Sequence, residues 1–244
     1  MLDVMTPVGL LVFGPHPDDI EIGLGGTVAR HAAEGVRVGL CDLTAGEMGS
    51  NGTVEERLAE AQEASAVLGA AWRVNLGLTD RAIGRGPDDA RRVASLVRAA
   101  RPRTVAIPYW ADRHPDHVAS STFLTDAVFS AGLRKFDAQG EAWKVERVCY
   151  YFINDGAAPS FVVDVSAYYE VKRRALACHR SQFAPPGGVA TRLTSSRFQQ
   201  LIESRDAQFG ALAGVDFAEG LVVREPIVLP HLFKELTPQA EAGR

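Results

Sequence analysis

The chain has 244 residues, with 26 Lys plus Arg against 30 Asp plus Glu for a net charge of −4, and 3 cysteines. That length suits one α/β domain with its own core, and the lack of a basic excess argues against a nucleic-acid partner. Cys41, Cys149 and Cys178 cannot all pair and show no Cys-x-x-Cys spacing, which reads as buried thiols in a reducing cytoplasm; Met1-Leu2-Asp3-Val4 has no basic region or long apolar run, so neither a signal peptide nor a membrane span is expected.

Residues 8–13 are apolar in five of six positions without alternation, the pattern of a strand buried on both faces of a parallel sheet. This strand runs into Gly14-Pro15-His16-Pro17-Asp18-Asp19-Ile20-Glu21, where one histidine and three acids crowd a single connection. Such acids repel one another unless a cation sits among them. Gly23-Leu24-Gly25-Gly26-Thr27 leads into a helix over 28–34 that Gly35 can end. These glycines, with Asp42 as a ribose acid, invite a dinucleotide-binding reading. Val28 occupies the third glycine position, however, and Asp18, Asp19 and Glu21 would face a pyrophosphate with like charge. Close packing of helix on strand is enough to account for them.

A second strand is expected at 36–43, followed by the Gly-rich connection 45–52. Thr53-Val54-Glu55-Glu56 fits a capping box opening a helix through Leu68. A third strand at 72–76 precedes a helix opened by Pro87-Asp88-Asp89 and ended before Pro102. The fourth strand, 104–109, delivers a second group, Asp112-Arg113-His114-Pro115-Asp116-His117, with Pro115 suited to the first turn of a helix running to Gly132. Strands at 147–153 and 161–165 follow, then helices over about 167–179 and 196–213 and short apolar runs at 221–223 and 227–229. Lys172-Arg173-Arg174 reads as a solvated helix face, His31, His179 and His231 as ordinary histidines, and 237–244 as a frayed tail.

Alternating strands and helices over the first 135 residues predict an α/β doubly wound, mostly parallel sheet. Its functional edge lies beyond the carboxyl ends of strands 1, 2 and 4. That edge gathers His16, Asp19, Arg57, His114 and His117. His16, Asp19 and His117 supply two imidazoles and a carboxylate, the donor set of a catalytic zinc site with a position left for water. Non-haem Fe(II) oxygenases use the same set, so residue type does not choose the metal. Arg57, in the first turn of the second helix, is equally a surface residue or an anion clamp.

With His16-Pro17-Asp18-Asp19-Ile20-Glu21 and His114-Pro115-Asp116-His117 in this order and spacing, the chain resembles the LmbE-like, PIG-L-type family of zinc-dependent N-acetylglucosaminyl de-N-acetylases. The resemblance continues through 46–57, 108–113, 159–165 and 181–183, segments similar to the branch that deacetylates N-acetylglucosaminyl malate in bacillithiol biosynthesis. It covers the chain to about residue 225; His179 departs from it, standing where a tyrosine is expected. The resemblance implies a single Rossmann-like three-layer deacetylase domain over 1–244, acting on a small amino-sugar substrate and needing no nucleic acid or membrane. It implies His16, Asp19 and His117 as ligands of Zn2+, with Fe2+ the alternative ion in the cell, and Asp18 as general base toward a metal-activated water. His114 then donates to the developing oxyanion. Asp116 either orients an imidazole or simply favours a helix start. If the sugar carries malate, Arg57 and Arg113 are the guanidinium groups for its carboxylates. A homo-oligomer, with the hexamer common among relatives, is implied by the resemblance alone. Diacetylchitobiose or a mycothiol-type conjugate are alternative substrates, and a non-catalytic metal-binding relative is the competing class. Gln182 has no assigned role.

Overall fold

The computed structural model describes residues 5–228; Leu229, His231, the first four residues and the expected tail at 237–244 lie outside the described residues. Seven strands, β1 (Leu10–Gly14), β2 (Val38–Thr44), β3 (Trp72–Leu78), β4 (Thr104–Pro108), β5 (Arg147–Tyr151), β6 (Phe161–Asp164) and β7 (Ala218–Val222), form one sheet in the order β3-β2-β1-β4-β5-β7-β6. The first five in that order pair in parallel, and β7 runs antiparallel between β5 and β6. The chain winds outward from β1 through β2 to β3, then returns to β4 on the other side of β1. Between β1 and β4 the loops after the strands part in opposite directions, which opens a crevice at their carboxyl ends.

The crossovers are α1 (Asp19–Ala33), α2 (Val54–Leu68), α3 (Asp89–Ala100) and α4 (Pro115–Ala131). α1 and α2 pack with α5 (Tyr169–Cys178) on one side of the sheet, and α3 packs with α4 on the other. β1 is buried throughout, as its uninterrupted apolar run predicts. Its Leu10 and Val12 join the core under α1 and α2, while Leu11 and Phe13 join the core under α3 and α4. The capping box forms as expected: Thr53 Oγ1 accepts from the Glu56 amide and the Glu56 carboxylate accepts from the Thr53 amide, while Gly69 ends the helix at φ 73°. α7 (Ser196–Ala213) matches its expected bounds. A 3-10 turn at Ser166–Tyr168 and the short α6 (Arg180–Phe183) are additions, and β7 begins at Ala218 rather than at Leu221. Residues 227 and 228 are in no strand.

α1 departs most from expectation. It starts at Asp19 instead of Val28 and breaks at Leu24, where φ is −137°. The amides of Gly26 and Thr27 donate to Glu219 Oε1 at 2.9 Å and Oε2 at 2.6 Å, while the Ile22 carbonyl accepts from Arg205 Nη2 at 2.8 Å. The glycines lie inside the helix rather than ahead of it, and they serve the close packing expected of them. A Cβ at Gly23 would meet Tyr151 Cδ2 at 2.2 Å, and one at Gly26 would meet Val165 Cβ at 2.7 Å. Lys172 is a second correction: it is no part of a solvated face but is fully buried, with Nζ 2.6 Å from both Asp206 Oδ2 and Glu219 Oε1. Arg173 and Arg174 on the same helix are exposed. Glu219 is thus held between a lysine and the amide end of the second helical segment, a partner set that an anion favours.

Among the described residues no helix is long and apolar enough to cross a membrane, and Cys41, Cys149 and Cys178 are free thiols. Gly23→Ala forces the helix away from β5 and should cost about 1–3 kcal/mol. Thermal unfolding followed by circular dichroism should show the midpoint lowered by roughly 2–10 °C.

Candidate active site

The crevice between β1 and β4 holds both histidine groups. Behind β1 the chain turns sharply at Asp18, a non-glycine residue at φ 120°, and enters α1 at Asp19. Backbone in that region costs about 1–3 kcal/mol and persists only where its surroundings impose it. The turn places Asp19 beneath His16, with Asp19 Oδ2 3.0 Å from His16 Nδ1 and accepting from the His16 amide at 3.0 Å. From the start of α4, His117 brings Nε2 to 3.3 Å from Asp19 Oδ1. Donor atoms of His16, Asp19 and His117 all lie within 4.8 Å of one another.

The far nitrogen of each imidazole is held by a carboxylate. His117 Nδ1 is 3.1 Å from Asp112 Oδ1, and Asp112 is fixed by the Asn154 amide at 2.9 Å and Asn154 Nδ2 at 3.0 Å. His16 Nε2 is 3.2 Å from Asp80 Oδ1 and 3.5 Å from Asp116 Oδ2. Such partners leave His117 Nε2 and His16 Nδ1, the atoms beside Asp19, as the ones that would donate to a metal. Burial works against charge on His117, yet Asp19 and Asp112 raise it to about 9. His16 also stands well above its ordinary value, with Asp116, Asp19 and Asp80 outweighing its burial. A pocket that pulls positive charge onto its histidines is suited to a divalent cation, and the nitrogen and oxygen donors match zinc or ferrous iron.

His16, His114 and Asp116 form a second group of the same compactness. Its members are otherwise engaged: Asp116 accepts from Arg81 Nη1 at 2.8 Å and from the Arg81 amide at 3.2 Å, and His114 Nδ1 accepts from the Asp116 amide at 3.2 Å. That last bond caps α4 and places the His114 proton on Nε2. Burial, aided by the nearby His117 and His16, lowers the His114 pKa and keeps the ring neutral. Asp116 therefore touches His16, and it serves the helix start as well.

Asp18 is 3% exposed, and burial raises its carboxyl to about 6 against the opposing pull of Arg57. Arg57 Nη2 lies 3.4 Å from Asp18 Oδ2 and donates to the Pro17 carbonyl at 2.9 Å, while Nη1 donates to the Gly46 carbonyl at 2.8 Å. Glu21 does not join the cluster expected around the cation. It is fully buried on the other side of the turn, with Oε1 2.5 Å from Arg73 Nη1, and Arg73 also holds Asp42 through two bonds of 2.8 Å. A buried Asp42 so engaged leaves nothing for a ribose, in line with rejection of the dinucleotide reading.

These groups open onto a cavity of about 440 Å3 whose lining includes His16, Asp18, Asp19, His114 and His117. Arg57, Arg81, Arg113 and Arg192 also reach it, with Arg113 and Arg192 exposed and Arg192 stacked 5.3 Å over the Phe198 ring. Gln182 lines the cavity with Nε2 donating to the Asn51 carbonyl at 2.8 Å. His179 does not line it; it is buried with Nε2 3.4 Å from Glu21 Oε2. Sequence reading missed Asp80, Arg81 and Asn154. Their signal was positional, since polar residues just after β3 and β5 share the edge already assigned to strands 1, 2 and 4. Replacing Asp80 by Ala should weaken divalent-metal affinity about 10–100-fold in competition with a chromogenic chelator, by freeing the His16 ring. Asp18→Asn should leave metal stoichiometry unchanged.

Comparison with known proteins bears on this site directly. The sequence profile of the family described as PIG-L, GlcNAc-PI de-N-acetylase, matches residues 11–128, a span containing both histidine groups. The crystal structure of the conserved protein TT1542 from Thermus thermophilus superposes with a TM-score of 0.85 at 41% identity, over 93% of this chain and 100% of that one. The diacetylchitobiose deacetylase of Thermococcus kodakarensis is 28% identical over 95% of this chain and 86% of its own length. A Rhodococcus opacus enzyme, 1D-myo-inositol 2-acetamido-2-deoxy-alpha-D-glucopyranoside deacetylase, is 26% identical over 81% of this chain and 90% of its own. The chain belongs to the PIG-L-type, LmbE-like family of de-N-acetylases, a family of metal-dependent hydrolases.

Proposed function

We propose that this enzyme hydrolyses the acetamide of an N-acetylglucosamine conjugate bearing carboxylates, with N-acetylglucosaminyl malate of bacillithiol biosynthesis as its substrate. The observation that carries the reading is that Asp18 and the His114 ring border the same cavity as the His16, Asp19 and His117 donors, with Arg113 exposed at its rim. The two relatives are named for deacetylating sugars that differ in what the amino sugar is attached to. Specificity in such a set lies at the cavity's outer part, where this chain presents guanidinium groups suited to bidentate carboxylate contact. Arg57 is already committed to Asp18 and two carbonyls. We therefore move its role from substrate clamp to holder of Asp18, and leave the malate carboxylates to Arg113 with Arg192.

In this reading His16, Asp19 and His117 hold Zn2+. A divalent ion there supplies Lewis acidity, polarising the amide carbonyl and making a water acidic near neutral pH. Asp18, ionised at neutral pH and steadied by Arg57, accepts the water's proton and returns it to the departing nitrogen. His114 donates from Nε2 to the amide oxygen as negative charge develops there. The water oxygen joins the acetyl carbon, the carbon–nitrogen bond breaks, and acetate and a free glucosamine amine leave. The free thiols support a reducing compartment, and we place the enzyme in the cytoplasm on that ground. A homo-oligomer is part of the proposal and is open to sedimentation analysis.

Primary-amine release from N-acetylglucosaminyl malate, diacetylchitobiose, the inositol conjugate and free N-acetylglucosamine tests the proposal. Fast release from the malate conjugate alone is expected; release from another conjugate keeps the chemistry and changes the substrate, and none from any by zinc-loaded protein favours a non-catalytic relative. Arg113→Ala should raise KM for the malate conjugate about 10–100-fold while leaving free N-acetylglucosamine unaffected, the loss expected for one charge-assisted contact of about 1.5–3 kcal/mol. His114→Ala should lower kcat about 10²–10³-fold with metal still bound.

A further inference from the structure

We propose that Arg205 is a positioning residue that ties the two halves of the active site together. It sits on α7, far from both histidine groups in sequence, and is not among the residues lining the cavity. Its side chain is 9% exposed, and its two Nη atoms donate to backbone oxygens of the first segment of α1 and of the loop after β5. Nη2 donates to the Ile22 carbonyl at 2.8 Å, and Nη1 donates to the Phe152 and Ile153 carbonyls at 3.1 and 2.8 Å. Nε donates to Asp206 Oδ1 at 3.0 Å, which fixes the plane of the guanidinium.

Each stretch leads directly to the site. The Ile22 amide donates to the Asp18 carbonyl at 3.0 Å, so Ile22 closes the helical turn that presents Asp18 and Asp19. Ile153 precedes Asn154, whose two bonds fix Asp112 behind His117. One rigid fork thus sets the distance between the support of Asp19 and the support of His117, residues whose donors meet at 3.3 Å. Lysine has no such planar fork.

The Ile22 carbonyl is available because α1 breaks at Leu24. It is an acceptor at the carboxyl end of the short first segment, where the helix dipole favours a cation. The other side of the break is held by Glu219 on the Gly26 and Thr27 amides, with Lys172 between Glu219 and Asp206. Asp206 in turn holds Arg205. The buried charges therefore separate the site-bearing turn of α1 from the rest of the helix and fasten it to the loop after β5.

The inference rests on the reading of His16, Asp19 and His117 as a metal centre. Its test compares wild type, Arg205→Ala, Arg205→Lys and Phe209→Leu, the last an apolar change on the same helix at a ring that packs on Phe152 and has no hydrogen bond to give the Ile22, Phe152 or Ile153 carbonyls. Each is measured well below its thermal midpoint for zinc affinity by chelator competition, for kcat and KM on an acetylated glucosamine substrate, and for rescue by millimolar guanidinium. Arg205→Ala should bind zinc at least tenfold more weakly and lose at least tenfold in kcat, with KM changed less than threefold and activity partly restored by guanidinium. Arg205→Lys, which keeps the charge and loses the fork, should lose zinc affinity and kcat relative to wild type by less than Arg205→Ala, and it carries the test by itself if Arg205→Ala does not fold. A wild type that binds zinc beside Arg205 variants that lose only thermal stability, as Phe209→Leu does, would overturn the positioning role alone. A wild type that binds no divalent metal would overturn the metal-centre reading and this inference with it.

Discussion

The structure is governed by the electrostatic cost of gathering Asp18, Asp19, Asp80, Asp112 and Asp116 at the divide between β1 and β4. Buried carboxylates are tolerated only when each finds a partner. Asp18 has Arg57, Asp80 the Met48 amide, Asp112 the Asn154 amide and side chain, and Asp116 has Arg81. Asp19 has the His16 amide and two imidazoles, His16 on one oxygen and His117 on the other, and no cationic side chain. The partner assignment thus leaves one carboxylate and two ring nitrogens facing each other, which is the arrangement a divalent cation completes.

Below this edge a second layer of buried charge sets where the chain bends. Arg73 joins Glu21 to Asp42, bracing the first turn of α1 against β2 and β3. Lys172 joins Glu219 to Asp206, bracing the remainder of α1 against α5, α7 and β7. Apolar replacements of such groups can match their stability. What the charges add is partners for the backbone groups freed where the glycine-flanked helix breaks at Leu24. The strained backbone at Asp18 belongs to the same design, since it turns the carboxylate toward the cavity and leaves the amide direction of α1 to Asp19.

Local signals carried much of the fold. The unbroken apolar run of β1, the capping box at Thr53, Pro115 after a buried strand and the bounds of α7 follow from chemistry confined to a few residues. That His16, Asp19 and His117 come together was legible for the same reason: their residue types cluster in two short motifs that follow buried strands. Asp80 and Asn154 carry no such motif. Their importance comes from β3 and β5 ending at the same edge, which strand order alone reveals. The glycines of α1 pack closely as read, against Tyr151 and Val165, but the helix was expected to start too late because glycine also marks a break in sequence. Lys172 misled because a run of basic residues hides which of them faces inward, a matter decided by acids on α7 and β7.

The most direct measurement is anomalous diffraction at the zinc edge from crystals grown with saturating Zn2+. One peak between His16 Nδ1, the Asp19 carboxylate and His117 Nε2 is predicted. A peak on the opposite side of the His16 ring, between His114 and Asp116, would contradict the assignment of the centre, as would the lack of any peak in the crevice between β1 and β4.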